Sequence, residues 1–156
     1  MKFARTDLAW IVTQLIIMGA LLLSPSVWII ATLVPFHSLG LGVATLGLVV
    51  AGVATLQLLG GKSLTPMPTP RNAAELQTAG MYRHVRHPIY SCLLLWALGV
   101  TIAAASLLHL ALFALLWLFF NAKAAYEEAK LADKFPEYAE YAARTRRFIP
   151  IPLPLS

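Results

Sequence analysis

Charged residues are absent from two long stretches of this chain. No Asp, Glu, Lys or Arg occurs in the 54 residues between Asp7 and Lys62, or in the 36 residues between Arg86 and Lys123. A helix needs roughly 20 apolar residues to cross the hydrocarbon core of a bilayer. Each stretch is therefore long enough for two crossings joined by a turn, and the pattern predicts a polytopic membrane protein.

The composition of the whole chain agrees with this interpretation. Of the 156 residues, 59% are hydrophobic and only 12% are charged, whereas soluble domains carry about 25% charged residues. This excludes a water-soluble globule, and it also excludes a disordered chain, which requires low hydrophobicity. The length suits one domain, so we expect a single all-α transmembrane domain over 1–156. The first apolar run exceeds the core of a signal peptide, and we expect it to be retained.

Turn-forming residues divide the two apolar stretches. The predicted transmembrane helices cover about 8–34, 39–60, 88–104 and 106–126. Residues 35–38 are typical of a turn and separate the first two helices. Pro25 lies inside the first helix and is expected to kink it, because proline removes a helical hydrogen bond. In the alternative interpretation the chain breaks at Pro25, which leaves a short separate segment over 27–34. The third and fourth helices form a hairpin, followed by a cytoplasmic helical segment.

In this topology every charged residue lies on one side of the membrane. The amino terminus, the loop 61–87 and the tail from Lys123 share that side, and the opposite turns carry none of the 12 basic and 7 acidic residues. Lys and Arg are enriched in cytoplasmic loops, so we expect both termini to be cytoplasmic. The basic residues flank apolar spans, which indicates a membrane surface rather than nucleic acid as the partner.

A dense group of polar and aromatic residues precedes the third helix. The segment 80–90 contains two arginines, two histidines and two tyrosines. Pro88 suits a first helical turn, and a residue before proline avoids helical geometry. His87 is therefore expected to be extended at the start of the helix, where free N–H groups favour a carboxylate or phosphate. Interfacial anchoring is the alternative interpretation of Arg83 and His84.

A second group of charges lies at the end of the fourth helix. Lys123 and Glu127 are four residues apart and share a helix face, and Glu128 follows directly. An exposed ion pair with this spacing is common and weakly stabilising, so spacing alone does not separate a functional site from a solvated pair. His84 and His87 have no Cys or carboxylate nearby in sequence, and no metal site is predicted.

The two groups together resemble the motifs of one enzyme family. The segment 76–90, LQTAGMYRHVRHPIY, resembles the signature of isoprenylcysteine carboxyl methyltransferases and their bacterial relatives. The acidic pair at 127–128, the later tyrosines Tyr138 and Tyr141 and the sequence RFIP at 147–150 are similar to the closing segment of that family. Residues 65–68 (TPMP) resemble its bacterial branch, so we expect a bacterial inner membrane as the location. The resemblance covers roughly residues 62–150.

The resemblance implies a membrane-embedded methyltransferase that uses S-adenosylmethionine. It implies a lipophilic acceptor, with the carboxylate of an isoprenylcysteine-like substrate as the first expectation. The residues that it implies for cofactor contact lie in the segments 62–90 and 123–150 and are Glu75, Leu76, Gln77, Tyr82, His87, Pro88, Tyr90 and Glu127. Lys123 stands where the family has a substrate-contacting arginine; lysine keeps the charge but loses the bidentate fork. Orientation by His87 and Glu127 is the expected catalytic contribution, because positioning alone supplies much of a rate.

Three alternatives stay open from the sequence. A phospholipid or another lipid would serve equally as the methyl acceptor. An NADPH-dependent membrane reductase is a second alternative, because such reductases share a related helical architecture. Only the basic loop carries residues that could bind the phosphates of NADPH. A non-enzymatic scaffold predicts no pocket at the cytoplasmic face and tolerance of His87→Ala, while the absence of membrane-buried charges disfavours a transporter. The sequence predicts neither the acceptor nor the oligomeric state.

Overall fold

A computed structural model describes residues 5–25, 34–60 and 76–150. The helices in chain order are α1 (Arg5–Leu23), α2 (Val34–Gly60), α3 (Pro88–Ala104), α4 (Leu107–Lys134) and α5 (Tyr138–Arg144), with a single 3-10 turn at Gly80–Arg83 before α3. Within these ranges the one strand-like pairing is a bridge between Val85 and Arg146. The all-helical class predicted from the sequence is confirmed.

Three of the helices are long and apolar enough to cross a membrane. They are α1, α2 and α4. The apolar helix α3 has 17 residues, about 25 Å at 1.5 Å per residue, against a hydrocarbon core of about 30 Å. The four crossings therefore stay a prediction, and three helices meet the length criterion in the described part of the chain.

Helices α2 and α3 pack backbone to backbone in opposite directions. A Cβ added at Gly40 would lie 2.3 Å from the backbone nitrogen of Ala103, and one at Gly47 would lie 2.5 Å from that of Trp96. Small residues allow this approach in lipid, where packing rather than water drives helix association. The pairing brings the end of α2 next to the segment before α3, where Gln57 Oε1 accepts a hydrogen bond of 3.0 Å from the Met81 N–H.

Helix α1 runs antiparallel to α4. The Thr6 hydroxyl lies 3.3 Å from that of Tyr126, and Lys130 Nζ lies 3.8 Å from the Asp7 carboxylate. With 28 residues, α4 is about 42 Å long and exceeds the hydrocarbon core of about 30 Å. Its last two turns, which carry the acidic pair at 127–128, therefore extend beyond the apolar layer.

Two predicted helix boundaries were wrong. α1 ends at Leu23 rather than at residue 34, because Pro25 has no N–H to continue the ladder and disfavours helical geometry in the residue before it. This end agrees with the alternative of a break at Pro25, and residues 26–33 lie outside the described residues. α2 begins at Val34, so residues 35–38 form its first turn instead of a connection. Pro35 fits there, since a first-turn N–H has no helical partner.

The hairpin of α3 and α4 is confirmed, with α3 over the predicted residues. Ala105 closes it in a left-handed conformation, with φ of 45°. α4 starts one residue later than predicted and continues without a break to Lys134. The predicted helical segment after it corresponds to α5, so the chain ends its described part on the same side as the beginning of α3.

Candidate functional site

The start of α3 and the end of α4 meet in one buried cluster. His87 Nδ1 lies 3.5 Å from Glu127 Oε2, and His87 Nε2 lies 3.1 Å from Glu128 Oε1. The hydroxyl of Tyr90 donates a hydrogen bond of 2.5 Å to Glu127 Oε1. Pro88 opens α3 and leaves His87 outside the helix, with φ of −126° and ψ of 62°. This non-helical residue directs its ring towards α4, so a local effect of proline helps to form the cluster.

Glu128 is the centre of the charged contacts. Its Oε1 accepts hydrogen bonds of 3.1 Å from Arg86 Nε and from Arg147 Nε, and its Oε2 accepts one of 2.7 Å from Arg147 Nη2. Arg86 Nη1 also donates to the carbonyl oxygens of Ala142 (2.9 Å) and Thr145. The hydrogen bond to Glu128 raises the pKa of Arg147 despite partial burial. One carboxylate thus joins the chain before α3, the end of α4 and the segment after α5.

Backbone contacts run alongside these ion pairs. The N–H groups of Arg86 and His87 donate to the carbonyls of Arg146 (2.7 Å) and Arg147 (3.1 Å). The Ser91 hydroxyl donates a hydrogen bond of 2.6 Å to the Phe148 carbonyl. Residues 145–148 therefore lie along the start of α3 and cover one side of the cluster.

Tyr82 and α5 close the cluster from the loop side. The Tyr141 hydroxyl donates a hydrogen bond of 2.7 Å to the Tyr82 carbonyl. Burial, then Tyr141 and the Glu127 carboxylate, raise the pKa of Tyr82 above its usual range. Burial likewise raises the pKa of Tyr141 to about 12. Both phenols therefore stay neutral at physiological pH and keep their O–H groups; that of Tyr141 is already used in the bond to Tyr82.

Lys123 is buried beside the aromatic part of the cluster. The residue is only 3% exposed, and its Nζ lies 5.0 Å from the centroid of the Tyr90 ring. Nζ donates a hydrogen bond of 2.7 Å to Gln14 Oε1 of α1. The Tyr90 ring also stacks on Phe120 at 4.7 Å. An exposed, solvated ion pair is therefore the wrong description of Lys123.

The sequence-based list and the structure overlap in part. The structure brings together six of its residues, namely Tyr82, His87, Pro88, Tyr90, Lys123 and Glu127. Leu76 and Gln77 are half-buried before the 3-10 turn, and within the described residues neither makes a side-chain hydrogen bond or ion pair with the cluster. Glu75 and most of the loop 62–75 lie outside the described residues.

Two polar residues of the site were missed from the sequence. The sequence singles out Glu128 only as the neighbour of Glu127, yet this residue makes the most ionic contacts of the cluster. Gln14 is not among the predicted site residues. A signal existed, because Gln14 and Gln57 are the only amide side chains in the first charge-free run, and such groups in apolar helices usually bond to a neighbouring helix.

A cavity of about 610 Å³ lies on the other side of the segment after α5. Its walls include Trp117 and Asn121 of α4 together with Arg86, Arg146, Arg147 and Phe148. None of the residues predicted to contact a cofactor lines it. The cavity and the cluster share Phe148, whose ring centroid lies 6.1 Å from that of His87 and 5.8 Å from that of Trp117.

Fold and cluster together define a helical membrane protein with a buried acidic and aromatic site at one end of its helices. Residues 56–133, half of the chain, match the family model of the isoprenylcysteine carboxyl methyltransferase (ICMT) family. The chain belongs to this family, which confirms the resemblance seen in the motifs. The matched region ends just before α5, so Arg147 completes the cluster from beyond it.

Relatives in the comparison carry two kinds of name. The cobalt-zinc-cadmium resistance protein CzcN of Cupriavidus metallidurans is 34% identical over 146 residues, which is 90% of this chain and 62% of that protein. A probable protein-S-isoprenylcysteine O-methyltransferase of Oryza sativa subsp. indica is 41% identical over 78 residues, 49% of this chain and 41% of the relative. A protein-S-isoprenylcysteine O-methyltransferase of Schizosaccharomyces pombe is 37% identical over 78 residues, 49% of this chain and 33% of the relative.

The chain therefore spans between 33% and 62% of the length of these relatives. No solved structure matches it. In the ranges 5–25, 34–60 and 76–150, no group of three or more His, Cys, Asp and Glu side chains is arranged to hold a metal ion.

Proposed function

We propose that this chain is a membrane-embedded methyltransferase that uses S-adenosylmethionine and acts on the carboxylate of an isoprenylcysteine-like acceptor. The observation that carries the proposal is the buried cluster in which His87 and Tyr90 of the α3 start meet Lys123 and Glu127 of the α4 end. Membership of the ICMT family and the names of the plant and yeast relatives support it.

The residues of the cluster fit the chemistry of the cofactor. S-adenosylmethionine carries a sulfonium, an ammonium and a carboxylate beside a nucleoside. The Tyr90 ring is already covered by the Lys123 ammonium and by Phe120, so the buried carboxylate of Glu127 is the group that would meet the positive charges of the cofactor. The buried hydroxyl of Tyr138 has no hydrogen-bond partner among the described residues, so one donor near Glu128 is available for a ligand.

When bound, the cofactor supplies a methyl group that is electrophilic on its sulfonium, so no covalent enzyme intermediate is needed. Glu127 would accept hydrogen bonds from the ammonium or the ribose hydroxyls of the cofactor. His87 and Tyr90 hold the Glu127 carboxylate in place. The first-turn N–H groups of α3 favour the cofactor carboxylate. Glu75, Leu76 and Gln77 are proposed to form a further wall of the same pocket.

Lys123 is proposed to bind the acceptor. Its ammonium would neutralise the acceptor carboxylate and orient one oxygen, and alignment of this kind supplies much of the rate in a displacement. Gln14 limits where the ammonium can move. The prenyl chain would enter between the helices from the lipid. The excess of Lys and Arg on this side supports a cytoplasmic site in a bacterial inner membrane, with both termini cytoplasmic.

The test uses the purified full-length chain, methyl-labelled S-adenosylmethionine, an S-farnesylcysteine derivative with a free carboxylate, and total membrane lipid. We expect label in the farnesylcysteine product that alkali releases as methanol, since methyl esters are base-labile. Alkali-stable label in the lipid fraction would identify a lipid methyltransferase instead. Binding of NADPH without binding of S-adenosylmethionine, measured by calorimetry, would overturn the proposal in favour of a reductase.

A further inference from the structure

We infer that the cavity beside α4 binds the anionic headgroup of a membrane phospholipid, apart from the proposed methyl-transfer site. Its volume of about 610 Å³ lies within the range of small-ligand sites, roughly 300–1,000 Å³. It lies where α4 passes from apolar to charged sequence, between Trp117 and Lys123. The apolar layer covers about the first 20 residues of α4, so Trp117 lies inside it and the cavity reaches from the hydrocarbon to the charged end of the helix.

The walls of the cavity carry an excess of positive charge. Arg86, Arg146 and Arg147 line it, and no acidic residue is among its lining residues. Glu128 bonds to Arg86 and Arg147, besides His87, and makes no ion pair with Arg146. One carboxylate therefore faces three guanidinium groups, and a phosphate would balance the remaining charge.

Arg146 is the residue best placed to bind that phosphate. Its backbone N–H donates to the His84 carbonyl at 3.4 Å, which fixes its position on the chain. Its guanidinium makes no hydrogen bond or ion pair with any described residue, and it is exposed. A guanidinium presents two parallel N–H groups that match phosphate oxygens. Asn121 also lines the cavity, and its Nδ2 donates a hydrogen bond of 2.9 Å to the Trp117 carbonyl.

An apolar surface leads away from the cavity along α4. Residues three or four positions apart share a helix face, so Ala114 and Leu110 extend the face of Trp117 away from the charged end of α4. Both of these residues are exposed and belong to the apolar surface of the helix. An acyl chain would lie along this apolar face while the headgroup occupies the cavity. The combination matches an amphiphile rather than a free phosphate.

Phe148 separates this cavity from the methyl-transfer cluster. Its ring contacts both His87 and Trp117, yet His87 does not line the cavity. A headgroup in the cavity is therefore kept from Glu127 and His87 by the thickness of a phenyl ring. This favours a phospholipid that stays bound over an acceptor that must reach the methyl group.

Native mass spectrometry of the full-length protein tests the inference. Phosphatidylglycerol and phosphatidylcholine with identical acyl chains are added in turn to the detergent-solubilised protein. We expect one phosphatidylglycerol to be retained in preference to phosphatidylcholine. Arg146→Gln should weaken its binding about fivefold, the effect of losing a solvated charge-assisted hydrogen bond. The matched control is Arg144→Gln, because Arg144 pairs with Glu140 on the exposed face of α5 and does not line the cavity.

A second measurement locates the lipid. Phosphatidylglycerol with brominated chains should quench part of the tryptophan fluorescence of the wild-type protein, and Trp117→Phe should remove that part. Equal retention of the two lipids, or equal weakening by Arg146→Gln and Arg144→Gln, would overturn the inference. Displacement of the bound lipid by S-farnesylcysteine would assign the cavity to the acceptor. These readouts need no methyl transfer, so their failure and that of the proposed function are distinguishable.

Discussion

The body of α3 and its first turn are held in different ways. Along most of its length α3 packs on α2 through Gly40, Gly47 and Gly99, with backbone atoms so close that no added side chain fits. At its start, by contrast, His87 and Tyr90 are held by carboxylates and aromatic rings from α4. The close apolar packing fixes where α3 lies, and the polar contacts select which groups meet at its first turn. Substitutions in the first region should change stability, and those in the second should change function.

The largest expected effect is on the glycine packing. A Cβ at Gly99 would lie 2.3 Å from the backbone nitrogen of Ala44, so Gly99→Ala must push α2 and α3 apart. We expect a loss of about 3 kcal/mol in unfolding free energy, at the upper end for overpacking. Thermal unfolding in detergent measures it. Gly42→Ala, which meets nothing within 4 Å, is the control, and equal stability of the two variants would contradict the packing argument.

Glu127→Gln tests the functional end of α3. It keeps an oxygen for the Tyr90 hydroxyl and removes the charge that would bind the cofactor. We expect about 100-fold lower affinity for S-adenosylmethionine, or about 2.7 kcal/mol, measured by calorimetry, with little change in thermal stability. Glu137→Gln, an exposed residue before α5, should bind normally. The proposed site is wrong if the double variant His87→Ala, Glu127→Gln still binds the cofactor.

Glu128 should affect stability through its ion pairs with two arginines. Glu128→Gln leaves Arg86 and Arg147 without their carboxylate, and we expect a loss of about 2 kcal/mol in unfolding free energy, below the usual figure for a fully buried pair. Glu140→Gln removes an exposed pair with Arg144 and should cost under about 0.5 kcal/mol. Chemical or thermal unfolding compares the two. Similar small losses would show that the contacts of Glu128 are not stabilising.

The smallest expected effect concerns acceptor binding. Gln14→Leu preserves the shape of α1 and removes the oxygen that holds Lys123 Nζ. We expect the KM for the farnesylcysteine acceptor to rise about fivefold, or about 1 kcal/mol, the net value of a typical hydrogen bond, with kcat and cofactor affinity within twofold. Thr13→Val, at an exposed position of the same helix, is the control. A fall in kcat without a change in KM would assign Gln14 a different role.

The bounds of the third helix could be predicted because the signals that set them lie in the neighbouring residues of the chain. Pro88 can only begin a helix, and the apolar residues end where Ala105 turns the chain. The same kind of signal was ambiguous at the other prolines. Pro35 is equally compatible with a connecting loop and with the first turn of a helix. Only the observed start of α2 at Val34 decides between them. Pro25 suits a kink and a stop equally, and α1 stops two residues before it.

The amino-acid sequence by itself determined the membrane character, the helical hairpin and the family, because charge-free runs and motif spacing are properties of the chain. Only the tertiary structure decided which polar groups meet. Gln14 and Lys123 are 109 residues apart, and Arg86 and Glu128 are 42 residues apart. No local pattern encodes such pairs, since each depends on how α1, α3 and α4 pack. Whether a lysine is solvated or buried is settled by that packing and not by its neighbours in sequence.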